Sequence, residues 1–174
     1  MVPPLLRKLV RPASGPSRSP FRVALALPFL VLSVQMGQAK TTTIPDEEKK
    51  CLATAIYFEA RGEPKSGQAA VAQVILNRVE AQAYPDTICE VVYQNREKRN
   101  ACQFSFACDG KPDVPRDTRA WTRAKEVGSN VLDGRDLIAG IKSATHYHAD
   151  YVSPYWAPKM RRLSKVGRHI FYQA

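Results

Sequence analysis

From Met1 to Ala39 the chain carries no acidic residue, against five basic ones (Arg7, Lys8, Arg11, Arg18, Arg22). Its apolar run, Val23–Val34, is about a dozen residues, short of the roughly 20 that span a bilayer comfortably. H-E-x-x-H and G-x-S-x-G are absent, which removes two common zinc-peptidase and serine-hydrolase signatures. No internal repeat or low-complexity tract is present, and no basic stripe is interleaved with aromatics. Half of the formal +10 charge belongs to the first 39 residues, so nucleic acid is not an expected partner.

The basic start, short apolar run and small residues Gly37 and Ala39 are read as a secretory signal, 1–39, cleaved after Ala39. An uncleaved anchor is the alternative; no stable membrane insertion is expected after cleavage. Residues 40–174 are then a single domain, large enough for one core and mildly basic, which suits an anionic surface such as a cell wall. All four cysteines fall in it, and an even count behind an export signal reads as two disulfides. Of the three possible pairings, Cys102–Cys108 with Cys51–Cys89 is favoured. A zinc site is the alternative, but C-x5-C is not a usual zinc spacing.

Pro45 and the acidic turn Asp46, Glu47, Glu48 open a helix expected to run to about Arg61 and to stop at Gly62. GEPKSG reads as a loop, and Gln68–Val79 as a helix apolar nearly all round. Asp86 is placed to cap a short helix, Thr87–Tyr93. Gln94–Pro115 reads as a long irregular segment. A further helix follows from Pro115 to Gly134, with Trp121, Ala124, Val127 and Val131 at helical spacing. Ala144–His148 and His169–Tyr172 read as strands that pair. The expectation is an α+β, mostly helical domain with a small antiparallel sheet or hairpin.

The stretch YFEARGE, Tyr57–Glu63, holds the chemistry. At about 100° per residue, Glu59 falls on the stripe of Leu52, Ala55 and Ile56. A carboxyl on a core-facing stripe is paired or desolvated, and desolvation raises its pKa. An acid still protonated near neutrality can protonate a leaving oxygen, as glycoside cleavage requires. Glu63, between Gly62 and Pro64, reads as a loop residue, solvated or paired with Arg61. His146 and His148 would share one strand face, with His169 nearby, which is the start of a metal site but lacks an evident third ligand. QFSF (Gln103–Phe106) and HYHADYVSPYW (His146–Trp156) offer aromatic faces for sugar rings, Trp156 foremost because prolines flank it.

AIYFEARGEPKSGQAAVAQVILNRV resembles the signature of the SleB/CwlJ-type cell wall hydrolases. YPDTICEVVYQ, CQFSFACDG, ATHYHADYVSPYWA and VGRHIFYQ are similar to later stretches of that family, in the variant exported by Gram-negative bacteria. The resemblance covers roughly Cys51–Gln173. It implies a lysozyme-like domain that cleaves the glycan strand of peptidoglycan, Glu59 being the catalytic acid in the manner of a lytic transglycosylase. Supporting or substrate-binding roles are expected for Glu63, Arg61, Phe104, Ser105, His146, Tyr147 and Trp156, and neither cofactor nor metal. A periplasmic or secreted location in a Gram-negative envelope is expected, with vegetative wall rather than spore cortex as substrate. The alternatives are an inactive peptidoglycan-binding module and a zinc-dependent amidase or peptidase.

Overall fold

In the computed structural model, residues 43–98 and 101–174 are described, all within one unit, Thr41–Ala174. The expected signal, 1–39, lies outside the described residues. Helix α1 (Asp46–Ala60) starts on Pro45 with its three acids in the first turn. One of these, Glu48, accepts hydrogen bonds from the Ile88 and Cys89 N–H groups at 2.7 and 3.2 Å, satisfying the start of α3 (Ile88–Val92). The Cys51–Cys89 disulfide fastens the same two helices, and Cys102–Cys108 closes the second bridge, so both favoured pairings are present.

Helix α2 (Lys65–Glu80) starts three residues earlier than expected, on Pro64, and the loop shrinks to the residues around Glu63. Pro64 disfavours helical backbone at the residue before it, which ends α1 at Ala60, and it suits the start of the next helix. Every residue from Gly67 to Ile75 is buried, as the all-round apolar pattern requires. Thr87, not Asp86, caps α3: its hydroxyl accepts from Glu90 N–H, the reach of the residue just ahead of the helix.

Helix α4 (Thr118–Leu132) is capped by Asp117 and followed by Gly134 at φ +73°. It begins later than Pro115 because the Tyr57 hydroxyl accepts from the N–H groups of Arg116 and Asp117, at 3.1 and 3.0 Å, holding both outside the helix. It packs on α1 at Gly128, where a Cβ would stand in ordinary contact, 3.4 Å from Ile56 Cδ1.

The sheet has three antiparallel strands in the order β1 (His146–Ala149), β3 (His169–Gln173), β2 (Arg161–Val166). β1 and β3 are the expected pair; β2 is an addition. The turn between β2 and β3 is two residues, with Gly167 first at φ +59°, the arrangement of a type II′ hairpin. The register slips at Leu163, which turns into a small core of Ala70, Val74, Ile141, Ala144 and Phe171. A larger core joins α1, α2, α3 and α4 around Leu52, Ile56 and Ile75. Tyr147 packs against both cores, at the seam between the helices and the sheet. Among the described residues no helix is long and apolar enough to cross a membrane.

Candidate active site

Glu59 lies in the last turn of α1, one residue from its end, where the aligned peptide dipoles present their negative pole and the turn itself carries no basic side chain. Leu52, Ala55 and Ile56, on its stripe, are fully buried. Glu59 itself is half-buried and opens into a cleft of about 510 Å³ walled by Arg78, Gln103, Phe104, Ser105, Asp109 and Tyr147. Burial raises its pKa above the ordinary carboxyl value, against opposing pulls from the Tyr147 hydroxyl and the Arg78 guanidinium. The Tyr147 hydroxyl stands 3.5 Å from Glu59 Oε2, at the long limit of a hydrogen bond. Glu59 also borders a chamber of about 80 Å³ shared with Gly62, Ala149, Arg168 and His169.

Arg78 is the site residue that sequence reasoning missed. It is 2% exposed, yet among the described residues it has no carboxylate in ion-pair contact. Its Nε–H donates to the Thr145 carbonyl at 2.8 Å. With the Gln103 amide turned so that its oxygen faces the guanidinium, that oxygen accepts from Nη1 and Nη2 at 3.0 and 3.1 Å. The rings of Tyr84 and Phe104 lie 5.4 and 5.5 Å away, within cation–π range. A buried cation fixed by neutral partners leaves its charge available to the cleft. The one sequence signal was a basic residue near the end of an otherwise buried helix, which reads as solvated.

Glu63 is held differently. Its side chain is 3% exposed, Oε2 accepts from the Arg168 backbone N–H and Oε1 from the Arg168 Nε–H, both at 2.9 Å. Burial opposes ionisation, but these two bonds and the nearby His169 bring its pKa below the ordinary 4.5. Two glycines make room for it. A Cβ at Gly67 would stand 2.9 Å from Glu63 Cβ, and one at Gly167 would stand 2.1 Å from Oε2. The carboxylate thus braces the α1–α2 corner against the β2–β3 turn, with both oxygens engaged.

Of the other expected residues, Phe104, Ser105 and Tyr147 reach the Glu59 cleft, Phe104 as a buried wall beneath Arg78. Arg61 faces an adjoining cleft, its guanidinium 5.1 Å from the Tyr57 ring centre. His146 and Trp156 are not brought to Glu59. Alternate strand residues face opposite ways, so Tyr147 faces the cores while His146 and His148 face the outside of the sheet. There Trp156 packs against both histidines and Tyr172 at ring distances of 5.5–5.6 Å. His148 donates from Nδ1 to the Ala149 carbonyl and meets the Tyr172 hydroxyl through Nε2 at 3.0 Å, so both ring nitrogens are engaged within the protein. Among the described residues no three His, Cys, Asp or Glu side chains gather as a metal site would need.

The Cell Wall Hydrolase family profile matches residues 62–172. The chain belongs to this family. The matched stretch begins three residues after Glu59. The chain is 32% identical over 137 residues to a spore cortex-lytic enzyme of Halalkalibacterium halodurans, covering 76% of this chain and 38% of that one. A spore cortex-lytic enzyme of Bacillus cereus is 31% identical over 139 residues, covering 77% and 49%. The chain therefore spans less than half the length of these relatives. Among solved structures, the catalytic domain of the germination-specific lytic transglycosylase SleB from Bacillus anthracis is similar at TM-score 0.59 and 28% identity. That match covers 76% of this chain and 98% of the SleB domain. The catalytic domain of Bacillus cereus SleB gives 0.58 and 29%, covering 79% and 100%. The lysozyme-like, mostly helical α+β fold expected of this cell wall hydrolase is therefore present. The expected Gram-negative envelope is overturned, because these relatives are spore cortex-lytic enzymes of Gram-positive Bacillus species and their kin. Paired cysteines do not distinguish one type of envelope from another.

Proposed function

We propose that this protein cleaves the glycan strand of peptidoglycan, with Glu59 as general acid and then general base. The observation that carries the reading is a desolvated carboxyl facing an open cleft, with a buried cation and a phenol as its polar neighbours. Protonated Glu59 gives its proton to the glycosidic oxygen as the C1–O bond breaks. Arg78 steadies the carboxylate so formed. That carboxylate then takes the proton of the muramoyl 6-hydroxyl while O6 bonds to C1, closing a 1,6-anhydro ring and restoring the acid. One carboxyl group suffices, which agrees with Glu63 having both oxygens bonded to Arg168.

Mass spectrometry of muropeptides released from purified sacculi tests this directly. Anhydro-muramic ends, lighter than hydrolytic reducing ends by one water, are expected. Hydrolytic ends alone would give the role of base to Asp109, on the same cleft, acting through a water.

The acid must be protonated to act, so activity falls as pH rises through the raised pKa of Glu59. Arg78 opposes that rise in pKa. Arg78→Gln therefore moves the alkaline limb of the pH–rate profile to higher pH, while Arg78→Lys, which keeps the charge, leaves it near its original position. Equal limbs in the two variants would remove Arg78 from the electrostatics of the site.

A further inference from the structure

Beyond Asp109, which borders both, the Glu59 cleft adjoins a second one of about 680 Å³ between the end of α1 and the segment leading to α4. Its lining is unlike that of a sugar subsite. Sugar rings stack on free aromatic faces, and here those faces are taken. Tyr57 lies under the Arg61 guanidinium and spends its hydroxyl on two backbone N–H groups. Phe58 stacks on Phe106 at 4.9 Å and 20°. What is free is charge. Arg61, Lys111 and Arg116 are exposed on its walls, and none is in an ion pair among the described residues, although Asp109 and Asp113 line the same cleft.

We infer that this second cleft binds the stem peptide that peptidoglycan carries on its muramoyl units. The inference rests on the glycan-cleaving reading for its substrate, and its chemistry is specific. A stem peptide branches sideways from the strand and bears free carboxylates and, on its diamino residue, an ammonium group. Arg61, Lys111 and Arg116 pair with the carboxylates; Asp109 and Asp113 face the ammonium. A stripped glycan keeps only the lactyl carboxylate, held close to each muramoyl ring, and offers no ammonium group, so the cleft favours strands that still carry stems.

Two measurements on the full chain decide it. Initial cleavage rates are compared on intact sacculi and on sacculi stripped of stems by an amidase, for wild type and for the double variant Lys111→Gln/Arg116→Gln. Both side chains are exposed, so the fold is kept. The wild type is expected to prefer stem-bearing glycan, and the double variant to lose about tenfold of that preference. An unchanged ratio overturns the inference. In parallel, NMR titration with a soluble stem peptide is expected to shift the amide signals of residues 109–117 in the wild type and not in the variant. Shifts confined elsewhere, or alike in both proteins, also overturn it. Failure to cleave either sacculus would count against the glycan-cleaving reading alone, and the titration would still decide the cleft.

Discussion

Replacing Glu59 by glutamine yields a folded protein that releases muropeptides from purified sacculi about 10²–10⁴-fold more slowly than the wild type. The amide keeps the size of the side chain and its place opposite Tyr147, but it has no proton to give at neutral pH. The same substitution has a second, opposite consequence. A carboxyl whose folded pKa is raised adds stability that is full below its unfolded value, near 4.5, and is lost as pH rises through the folded value. Wherever Glu59 is ionised it therefore works against the fold, and Glu59→Gln is expected to melt no lower than wild type. Activity near wild type would sink the assignment of the acid. A lowered melting temperature would show instead that Glu59 is a structural residue.

Gly167→Ala acts on stability. Its φ of +59° costs a residue with a side chain about 1 kcal/mol or more. The new Cβ would also fall 2.1 Å from Glu63 Oε2. An exposed carboxylate would swing aside cheaply, but this one is buried, bonded through both oxygens and backed by Gly67, so moving it breaks its bond to the Arg168 N–H. The combined cost is about 3 kcal/mol, read by denaturant unfolding. The exposed Arg168 guanidinium adds little to that figure, because solvent screens it. The Glu63 pKa is lowered in the fold, so its contribution is present above the unfolded value and is lost as pH falls through the folded one. The difference between Gly167→Ala and wild type should therefore narrow in acid. A cost below about 1 kcal/mol at neutral pH would mean that the brace is slack.

The parts of this molecule legible in its sequence are those fixed by local spacing. The apolar stripe of α1 placed Glu59 at the core's edge, and the all-round apolar pattern of α2 marked it as the central helix. The separation of only six positions between Cys102 and Cys108 made that bridge the simplest. The parts that were not legible depend on distant partners. β2, RRLSKV, has no alternation of apolar and polar residues and lies at the sheet edge; β3 recruits it through backbone hydrogen bonds. Arg78 is buried only because Thr145, Gln103 and the rings of Tyr84 and Phe104 converge on it from three other segments. Trp156, read as a sugar platform from its flanking prolines, folds onto the outer face of the sheet, where two histidines and a tyrosine offer more contact than solvent does.

The bonds between Glu63 and Arg168 join residues 105 positions apart, so α1 is synthesised that length of chain before its brace. α1 and its Glu59 carboxyl precede it, but the corner that holds them stays unbraced until the β2–β3 hairpin closes, and long-range closures of this kind form late. A chain cut short before Gly167 would carry every residue of the Glu59 cleft and still lack the strut that sets it. The order of synthesis thus acts as a timer: the Glu59 carboxyl is set only once the β2–β3 hairpin has been made.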